Sequence, residues 1–555
     1  PGHTSANFKQ TQDLDVQGYS WMSKTDFNYP NFNLSSPSLN YFNYDGNGHT
    51  LQNISLTETN KKQNFGFFGN IAYGSIMNLT IDNMTYDILY TGDENLNNVG
   101  LLCGSLDRSY LFDVIVKNST LTITSKSYVN NVGALMGRIG YSRQIRNVTS
   151  QDNTITIKGT PNSTNHYSNY VGGLFGNMDY LDQYNSLSKF YSKNNTITLS
   201  GYGNYIGGLT NMNYIFSGQT ETNNSEYLTL SEFHTENISI TITDDVFDSN
   251  GNGRASTRVG GLFGSLKTNS NYSDKTHAEL IKSSATGTIT LKMGREVGGL
   301  IGNAEARISD VYSKVDINID LGTYADWQNT SGNTTWGSSK LNEEYTNIGG
   351  LIGVLTYKGR ALSNSYSAAS FTVSGINFTD DLLYIDYTGD GNLDQPKRWG
   401  SVIGNTNNNN AEEFVADNVF YNTDLVSYEA VAPWVTSNPR QALVNAVGKT
   451  TAEMTVSTIY EAAIWDISTN MSSSSIWGIN AELNGGYPYF NDIIDSYFVP
   501  TITLIGDPNI YLILEDTYTE LGATAVDYTG VDITADIVTD NTNVITYVEG
   551  VYNVT

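Results

Sequence analysis

Short segments in which apolar and polar residues strictly alternate recur along most of the chain. They carry Ile or Leu at every second position with Thr or Ser between, at residues 121–124, 155–157, 197–199, 238–242 and 289–291. Successive side chains of a β-strand point to opposite faces, so this period of two predicts strands with one buried face. Because long amphipathic helical patterns are hard to find, the pattern predicts an all-β fold.

A glycine-rich element separates these alternating segments. It reads apolar, Gly, Gly or another small residue, Leu, apolar, Gly, and we call it the GGLφG element. Its occurrences end at Gly69, Gly104, Gly137, Gly176, Asn211, Gly264, Gly302, Gly353 and Gly404, with spacings of 35, 33, 39, 35, 53, 38, 51 and 51 residues. Recurrence of one supersecondary unit is typical of solenoids, in which each unit buries its apolar face only by stacking on its neighbours.

The repeats predict a β-solenoid over residues of about 30–425, with about nine coils and three strands in each coil. Glycine pairs would let the backbone of one coil approach its neighbour closely. The leucine of each element is expected to lie in one buried column, formed by Leu101, Leu135, Leu174, Leu209, Leu262, Leu300 and Leu351.

The GGLφG element resembles the GLUG motif of bacterial surface proteins, including the non-catalytic regions of some IgA-specific metallopeptidases. Residues 8–15 and 44–50 are similar to the first coil of that family, and residues 449–454, 465–466, 476–479 and 486–489 to its closing segment. The resemblance implies a β-helical fold and an extracellular role without catalytic residues. The predicted solenoid domain spans 1–498, with an N-terminal coil at 1–64, repeats at 65–425 and a closing segment at 426–498.

Residues 499–555 predict a separate C-terminal module. Segments 502–507 and 517–527 resemble the immunoglobulin-like repeats of bacterial surface stalks, which implies a β-sandwich. Those repeats continue beyond a strand like that at residues 552–555, so we expect the module to be incomplete. An open sheet edge would invite pairing with another segment or self-association.

Composition narrows the classes of function. The chain carries a net charge of −27 and only 15% charged residues. Nucleic acid and anionic membranes are not expected as partners because their phosphates need Lys and Arg, and no apolar run is long enough to insert into a membrane. The single cysteine, Cys103, excludes a disulfide framework but not secretion. It occupies the second apolar position of its element and is expected to be a buried core thiol.

Sequence motifs of enzymes are missing. The five histidines show no metal-ligand spacing, and the HExxH, GxSxG and Walker-type motifs are absent. Adjacent acids such as Asp244 and Asp245 cannot oppose each other across a cleft as glycosidase carboxylates do. A polysaccharide lyase or hydrolase that assembles its acids from separate coils stays open as an alternative.

One loop has the pattern of a calcium site. Asp386, Thr388, Asp390, Asn392 and Asp394 would supply oxygen ligands, with Gly391 at the sharp turn. Lys397 stands where the bidentate Glu would be expected, so a plain Gly/Asp turn is the alternative. A second loop, at residues 248–253, carries fewer charges. Calcium is the only cofactor that the sequence suggests.

Three long connections predict a ligand-binding surface. They lie between an alternating strand and the next GGLφG element, at residues 244–258, 322–347 and 375–398. Insertions at equivalent positions of a solenoid emerge at the same corner. Their aromatic residues could stack on sugars or contact a protein, and the candidates are Tyr324, Trp327, Trp336, Tyr345, Tyr384 and Tyr387. The alternative is that these rings pack on one another and cap the coils.

The polar positions of the alternating strands carry Thr or Ser in repeat after repeat. If the coils stack, these residues form a flat ladder of hydroxyl groups, of the kind that some ice-binding solenoids present. The simpler interpretation is that Thr is favoured at exposed strand positions.

The sequence therefore favours an extracellular or cell-surface adhesin or scaffold that binds a glycan or protein through its solenoid. Two alternatives come from other classes: a carbohydrate-active β-helix enzyme of the lyase, hydrolase or tailspike type, and a structural filament subunit.

Overall fold

The structure is a computed structural model of the 555-residue chain. It describes residues 6–18, 21–22, 39–59, 64–142, 144–159, 167–181, 186–215, 228–243, 246–247, 253–254, 256–268, 278–292, 294–320, 346–356, 361–374, 384–385, 395–396, 398–406, 415–432, 444–470, 474–491, 501–505, 512–513, 515–519, 521–526, 532 and 534–539. Strands account for 65% of the structure and helices for 4%, which confirms the all-β class. Contacts divide the chain into unit 1, Pro1–Thr451, and unit 2, Ala452–Thr555.

Unit 1 consists of three long sheets of parallel strands. Sheet 1 has nine strands, sheet 2 has ten and sheet 3 has twenty-one. In each repeat the chain passes through sheet 1, bends sharply into sheet 2 and continues into sheet 3. Each strand pairs with the equivalent strand of the next repeat, about 35 to 50 residues away, as expected for stacked repeats. This arrangement is consistent with the predicted β-solenoid.

The strand bounds follow the repeats. Sheet 1 comprises Asn64–Phe65, Leu96–Val99, Val129–Gly133, Tyr167–Gly172, Tyr202–Gly207, Ser256–Gly260, Gly294–Gly298, Asn347–Gly349 and Arg398–Gly400. Sheet 2 comprises Leu39–Asn40, Asn70–Ala72, Cys103–Asp107, Met136–Gly140, Phe175–Leu181, Thr210–Ile215, Phe263–Thr268, Ile301–Ala304, Ile352–Leu355 and Ile403–Thr406.

Sheet 3 receives two strand segments from most repeats. Its strands are Ala6–Lys9, Leu14–Asp15, Trp21–Met22, Phe42–Asp45, Thr50–Gln52, Ser55–Glu58, Ser75–Asp82, Thr85–Tyr90, Tyr110–Lys117, Thr120–Ser125, Gln144–Gln151, Thr154–Gly159, Ser186–Lys193, Thr196–Leu199, Leu228–Ile242, Ala278–Lys292, Arg307–Asp320, Ala361–Ser367, Ser370–Ser374, Val415–Asn422 and Val444–Lys449. Two short antiparallel pairs lie apart from the sheets: Val246–Phe247 with Gly253–Arg254, and Tyr384–Ile385 with Gln395–Pro396.

The GGLφG element is the bend between sheets 1 and 2. In the repeat that ends at Gly176, the sheet 1 strand ends at Gly172 and the sheet 2 strand begins at Phe175. A β-carbon on Gly172 would overlap the carbonyl oxygen of Phe175, and one on Gly176 would collide with the backbone of Val132 in the preceding repeat. Glycine is therefore required because two backbones touch here. Each coil contributes to three sheets, but the GGLφG element itself spans the end of a sheet 1 strand and the start of a sheet 2 strand, and the segments that follow it lie in sheet 3.

The predicted leucine column forms with one change of register. Cys103 pairs with Met136, so the residue equivalent to Leu135 is Leu102 and not Leu101. The Leu102 N–H donates to the Leu135 carbonyl at 3.0 Å, and the series continues through backbone hydrogen bonds of 2.8–3.0 Å. Its further members, all fully buried, are Leu174, Leu209, Leu262, Leu300 and Leu351. Leu101 occupies the position of the second glycine and is also buried.

A short polar ladder crosses this apolar core where the two segments of sheet 3 meet. The Asn153 side chain donates to the Val116 carbonyl and accepts the Ser119 N–H, both at 2.8 Å. Asn195 repeats the pattern one coil later, where it accepts the Asn153 N–H at 2.8 Å. Both amides are almost fully buried. Burying these two amides costs the fold little stability, because each of them is hydrogen-bonded.

Unit 2 contains short helices, short strands and a cluster of buried aromatic rings. The helix Thr451–Met454 begins at the division between the units and is followed by Thr458–Ala462, by the strands Ile467–Ser468, Trp477–Gly478 and Tyr489–Phe490, and by the 3-10 turn Asn484–Gly486. Trp477 lies 4.9 Å from Trp465 and 4.2 Å from Phe490, measured between ring centroids. These contacts form a small core.

The C-terminal residues form one antiparallel pair, Thr501–Leu504 with Ala523–Val526, and a 3-10 turn at Thr534–Asp536. The predicted domain boundary at 498/499 and the predicted last strand at 552–555 lie outside the described residues. The immunoglobulin-like module therefore stays a prediction.

We expect Gly172→Ala to destabilise unit 1 by about 1–3 kcal/mol, because the new methyl group must displace a backbone carbonyl. The measurement is the urea midpoint of unfolding, followed by circular dichroism. Gly140→Ala is the matched control, since a β-carbon there meets only the ends of the Arg138 and Asp179 side chains, at 3.0 and 3.1 Å. Equal effects of the two substitutions would contradict the close approach of sheets 1 and 2.

Cys103 is predicted to be unreactive in the folded protein. Its side chain is fully buried, and burial raises the pKa of the thiol to about 12. Because the thiolate is the reactive form, a disulfide reagent such as DTNB at pH 8 should not modify the native chain. The same reagent in denaturant should modify one thiol per chain. Rapid modification of the native chain would show that the core is open at this repeat.

Candidate functional site

The predicted site residues fall outside the described part of the chain. This holds for Tyr324, Trp327, Trp336, Tyr345 and Tyr387 among the aromatic candidates, for the side chain of Tyr384, and for Asp386, Thr388, Asp390, Asn392 and Asp394 of the calcium loop. The backbone on either side of that loop is described, and Ile385 pairs with Gln395 in antiparallel fashion. The second loop is flanked in the same way, by Phe247 paired with Gly253.

Left-handed corners between sheets 2 and 3 carry an unexpected set of residues. In five successive repeats the residue with positive φ at this place is a tyrosine or an arginine: Tyr41 (57°), Tyr73 (56°), Arg108 (47°), Tyr141 (52°) and Tyr180 (56°). The first four directly follow their sheet 2 strand, and Tyr180 lies one residue before the end of its strand. Bulky side chains are disfavoured in this region of backbone space, which Gly, Asn and Asp adopt more readily. Large residues held in such a conformation are characteristic of functional positions.

Backbone hydrogen bonds hold these corners in register. The N–H of Tyr41 donates to the Ala72 carbonyl at 2.9 Å, and the N–H of Tyr73 donates to the Asp107 carbonyl at 3.0 Å. The N–H of Arg108 donates to Gly140 at 2.9 Å. Each corner is thus fixed to the next repeat, so the five side chains follow one line along the stack. We call them the Tyr–Arg strip.

The side chains of the strip contact one another in sequence. Tyr41 and Tyr73 stack with their ring centroids 5.6 Å apart, and Tyr141 and Tyr180 stack at 4.5 Å with nearly parallel planes. The guanidinium of Arg108 lies between the two pairs, 5.4 Å from the Tyr73 centroid and 4.7 Å from that of Tyr141. Cation–π contacts of this length are attractive. The strip is therefore a continuous stack of rings with one cation at its centre.

The strip is open to solvent. Tyr41, Tyr73 and Tyr141 are 60%, 45% and 41% exposed. Since each ring uses its faces against its neighbours, the ring edges and hydroxyl groups are the parts that a ligand can reach. Tyr and Arg are enriched among the residues that dominate binding energy at interfaces, and tyrosine offers a large contact area with few rotatable bonds.

Charged side chains support one edge of the strip. Arg108 donates to the Tyr73 hydroxyl at 2.9 Å and to Asp107 at 3.1 Å. Arg138 donates a bidentate pair of hydrogen bonds to the Asp179 carboxylate, at 2.9 and 3.0 Å. Burial raises the pKa of Asp179 above its ordinary value, while the hydrogen bonds and the charge of Arg138 act in the opposite direction. The local surface thus presents guanidinium donors on a chain whose net charge is −27.

No group of three or more His, Cys, Asp or Glu residues that could hold a metal ion lies within the described ranges. Nor does that part of the chain contain a helix long and apolar enough to cross a membrane. His234 is fully buried, which lowers its pKa to about 3, so this histidine is neutral at physiological pH.

Sequence reasoning missed the strip, although a positional signal exists. Tyr73, Arg108, Tyr141 and Tyr180 each follow the last glycine of a GGLφG element by four residues. The signal lies in their common offset from the element, because nothing in the local sequence marks these positions as left-handed.

We expect Tyr141→Asn to leave the folding stability unchanged within about 1 kcal/mol, because asparagine relieves the backbone strain and offsets the lost ring contacts. Asn83 and Asn118 adopt the same conformation, with φ of 53° and 51°, at other corners. Thermal unfolding of the variant and of the parent chain tests this. A loss of several kcal/mol would mean that the tyrosine is there for stability and not for binding.

Comparison with known proteins gives no match: no protein-family model, no curated protein and no solved structure resembles the chain closely enough to identify it.

Proposed function

We propose that this chain is an extracellular or cell-surface adhesin or scaffold that binds a glycan or a protein along the side of its solenoid. The observation that carries the proposal is the Tyr–Arg strip: five aligned residues with positive φ whose side chains form one continuous stack, with four of them exposed and Tyr180 half-buried. Binding residues held on a rigid scaffold lose little conformational entropy when a ligand arrives.

The scaffold supports this role through its regularity. The strip follows the repeats, so it suits a ligand with an extended or repeating shape. Tyrosine hydroxyls and a guanidinium can both hydrogen-bond to sugar hydroxyls or to backbone carbonyls. The net charge of −27 on the whole chain disfavours nucleic acid and anionic lipid as partners. Within the described residues, no group of three or more His, Cys, Asp or Glu comes together that could hold a catalytic metal ion.

Other parts of the proposal rest on sequence. The GLUG-type resemblance supports an extracellular location, and the loop at residues 386–394 is proposed to bind calcium. The three long connections, of which residues 322–347 contain Trp327 and Trp336, would add a second contact surface. The C-terminal module would extend the chain or allow self-association.

The test is binding of the purified chain to a glycan microarray and to immobilised collagen and fibronectin. Tyr73→Asn combined with Tyr141→Asn should reduce binding to any positive probe at least tenfold, since both substitutions remove central ring edges of the strip. Arg108→Ala should have a similar effect.

Tyr110→Asn is the control, because Tyr110 is 39% exposed on sheet 3 and is not part of the strip. It should bind like the parent. Undiminished binding by the double variant would place the ligand elsewhere, and the absence of any positive probe would contradict an adhesin for these ligand classes.

A further inference from the structure

A second surface of unit 1 carries two parallel rows of hydroxyl groups. They lie on the second strand segment of sheet 3, across five successive repeats. The first row contains Thr120, Thr154, Thr196, Ser239 and Thr288, and the second contains Thr122, Thr156, Thr198, Thr241 and Thr290. Each member pairs in register with its equivalent in the next repeat. We call this surface the hydroxyl face.

The members of the hydroxyl face point outward. The residues between the two rows, such as Leu121, Ile155 and Ile197, are buried in the core. The row residues themselves are half-buried or exposed. Within the described part of the chain, none of the ten hydroxyls forms a side-chain hydrogen bond. The ten groups are therefore available to an external partner.

The hydroxyl face is neutral on a strongly acidic protein. No charged residue occurs in either row between Thr120 and Thr290, whereas Asp87 and Asp316 stand at the two ends. Lys158, which pairs with Thr124, lies two residues beyond the second row on the same outward side, and Lys292 lies two residues beyond Thr290 in the same way. The chain as a whole carries a net charge of −27, so an uncharged array of this length matches a neutral partner.

Strand geometry fixes the spacing of the array. Equivalent residues of neighbouring parallel strands lie about 4.8 Å apart, and residues two positions apart along a strand lie about 6.6 Å apart. A tetrahedral network of water built from hydrogen bonds of about 2.75 Å repeats at about 4.5 Å between second neighbours and about 7.3 Å across two puckered layers. The two lattices agree to within about a tenth in both directions.

We propose that the hydroxyl face binds ice. Nine of its ten members are threonine, whose β-branched side chain has restricted rotamers, so the hydroxyl positions are already ordered before contact. A surface that binds sugars would be expected to present aromatic rings on which they stack, and neither row contains one. A protein partner would call for apolar anchors at the centre of the surface, which are also absent from the rows.

The hydroxyl face and the Tyr–Arg strip are independent surfaces. The strip lies at the corners between sheets 2 and 3, in repeats between Tyr41 and Tyr180, whereas the hydroxyl face lies on sheet 3 between Thr120 and Thr290. Ice binding therefore goes beyond the proposed adhesin function, and either proposal can fail without the other.

The test uses the full chain in two assays: thermal hysteresis, and partition of the fluorescently labelled protein into a slowly growing ice hemisphere. The parent chain should partition into the ice and separate the melting and freezing temperatures. Thr156→Lys combined with Thr198→Lys should abolish both effects, because two charged side chains at the centre of the second row hold their own hydration water and break the array.

Thr149→Lys is the matched control. Thr149 is half-buried on the outer side of sheet 3 but belongs to the first strand segment, outside both rows. It should behave like the parent, and circular dichroism should give the same spectrum for all three chains. Exclusion of the parent chain from ice, or equal incorporation of the double variant, would overturn the proposal. Binding to microcrystalline cellulose without incorporation into ice would do so as well, and would assign the face to a solid polysaccharide.

Discussion

The close approach of two backbones at the GGLφG bend is the constraint on which the rest of unit 1 depends. Sheets 1 and 2 meet there with no room for a β-carbon at Gly172 or Gly176. Since this contact recurs in every repeat, it fixes the height at which each repeat sits on the preceding one. The register of the outer rows follows from it, because a slip at the bend would move every later residue of that repeat out of its column. The buried leucines stabilise the stack, and the glycines define its geometry.

Left-handed corners are where this chain combines structure with recognition. At most of them the residue is Asn or Asp, which tolerates positive φ, and its side chain bonds to the neighbouring repeat, as Asn83 does to Asn53 at 2.7 Å. At the five positions of the Tyr–Arg strip, where sheet 2 leads into sheet 3, the same left-handed backbone carries rings and a guanidinium. The strain is held by the stacked strands on both sides, so these corners present larger groups without loss of the fold.

The sequence was sufficient for the repeat and for the direction of its side chains, because both depend on periodicity. It was insufficient for features that depend on how closely distant segments of the chain approach each other in the fold. Leu101 and Leu102 are adjacent in the sequence, and only the pairing of Cys103 with Met136 shows which of them belongs to the buried leucine column. The bend inside the GGLφG element was not predicted, because it depends on the close approach of sheets 1 and 2. The Tyr–Arg strip was missed because no local sequence pattern marks a tyrosine that adopts a positive φ.

Among the described strands of unit 1, pairing joins neighbouring repeats, and this has a consequence for how the protein unfolds. In such a linear array, stability is close to a sum of repeat and interface contributions, so damage to one repeat is felt mainly by the two beside it. A break in the middle would leave two shorter folded stretches, each with a newly exposed end, rather than a wholly unfolded chain. The length over which unit 1 unfolds cooperatively is thus set by the weakest interface between repeats, and evolution could add or remove a whole repeat with only a local effect on stability.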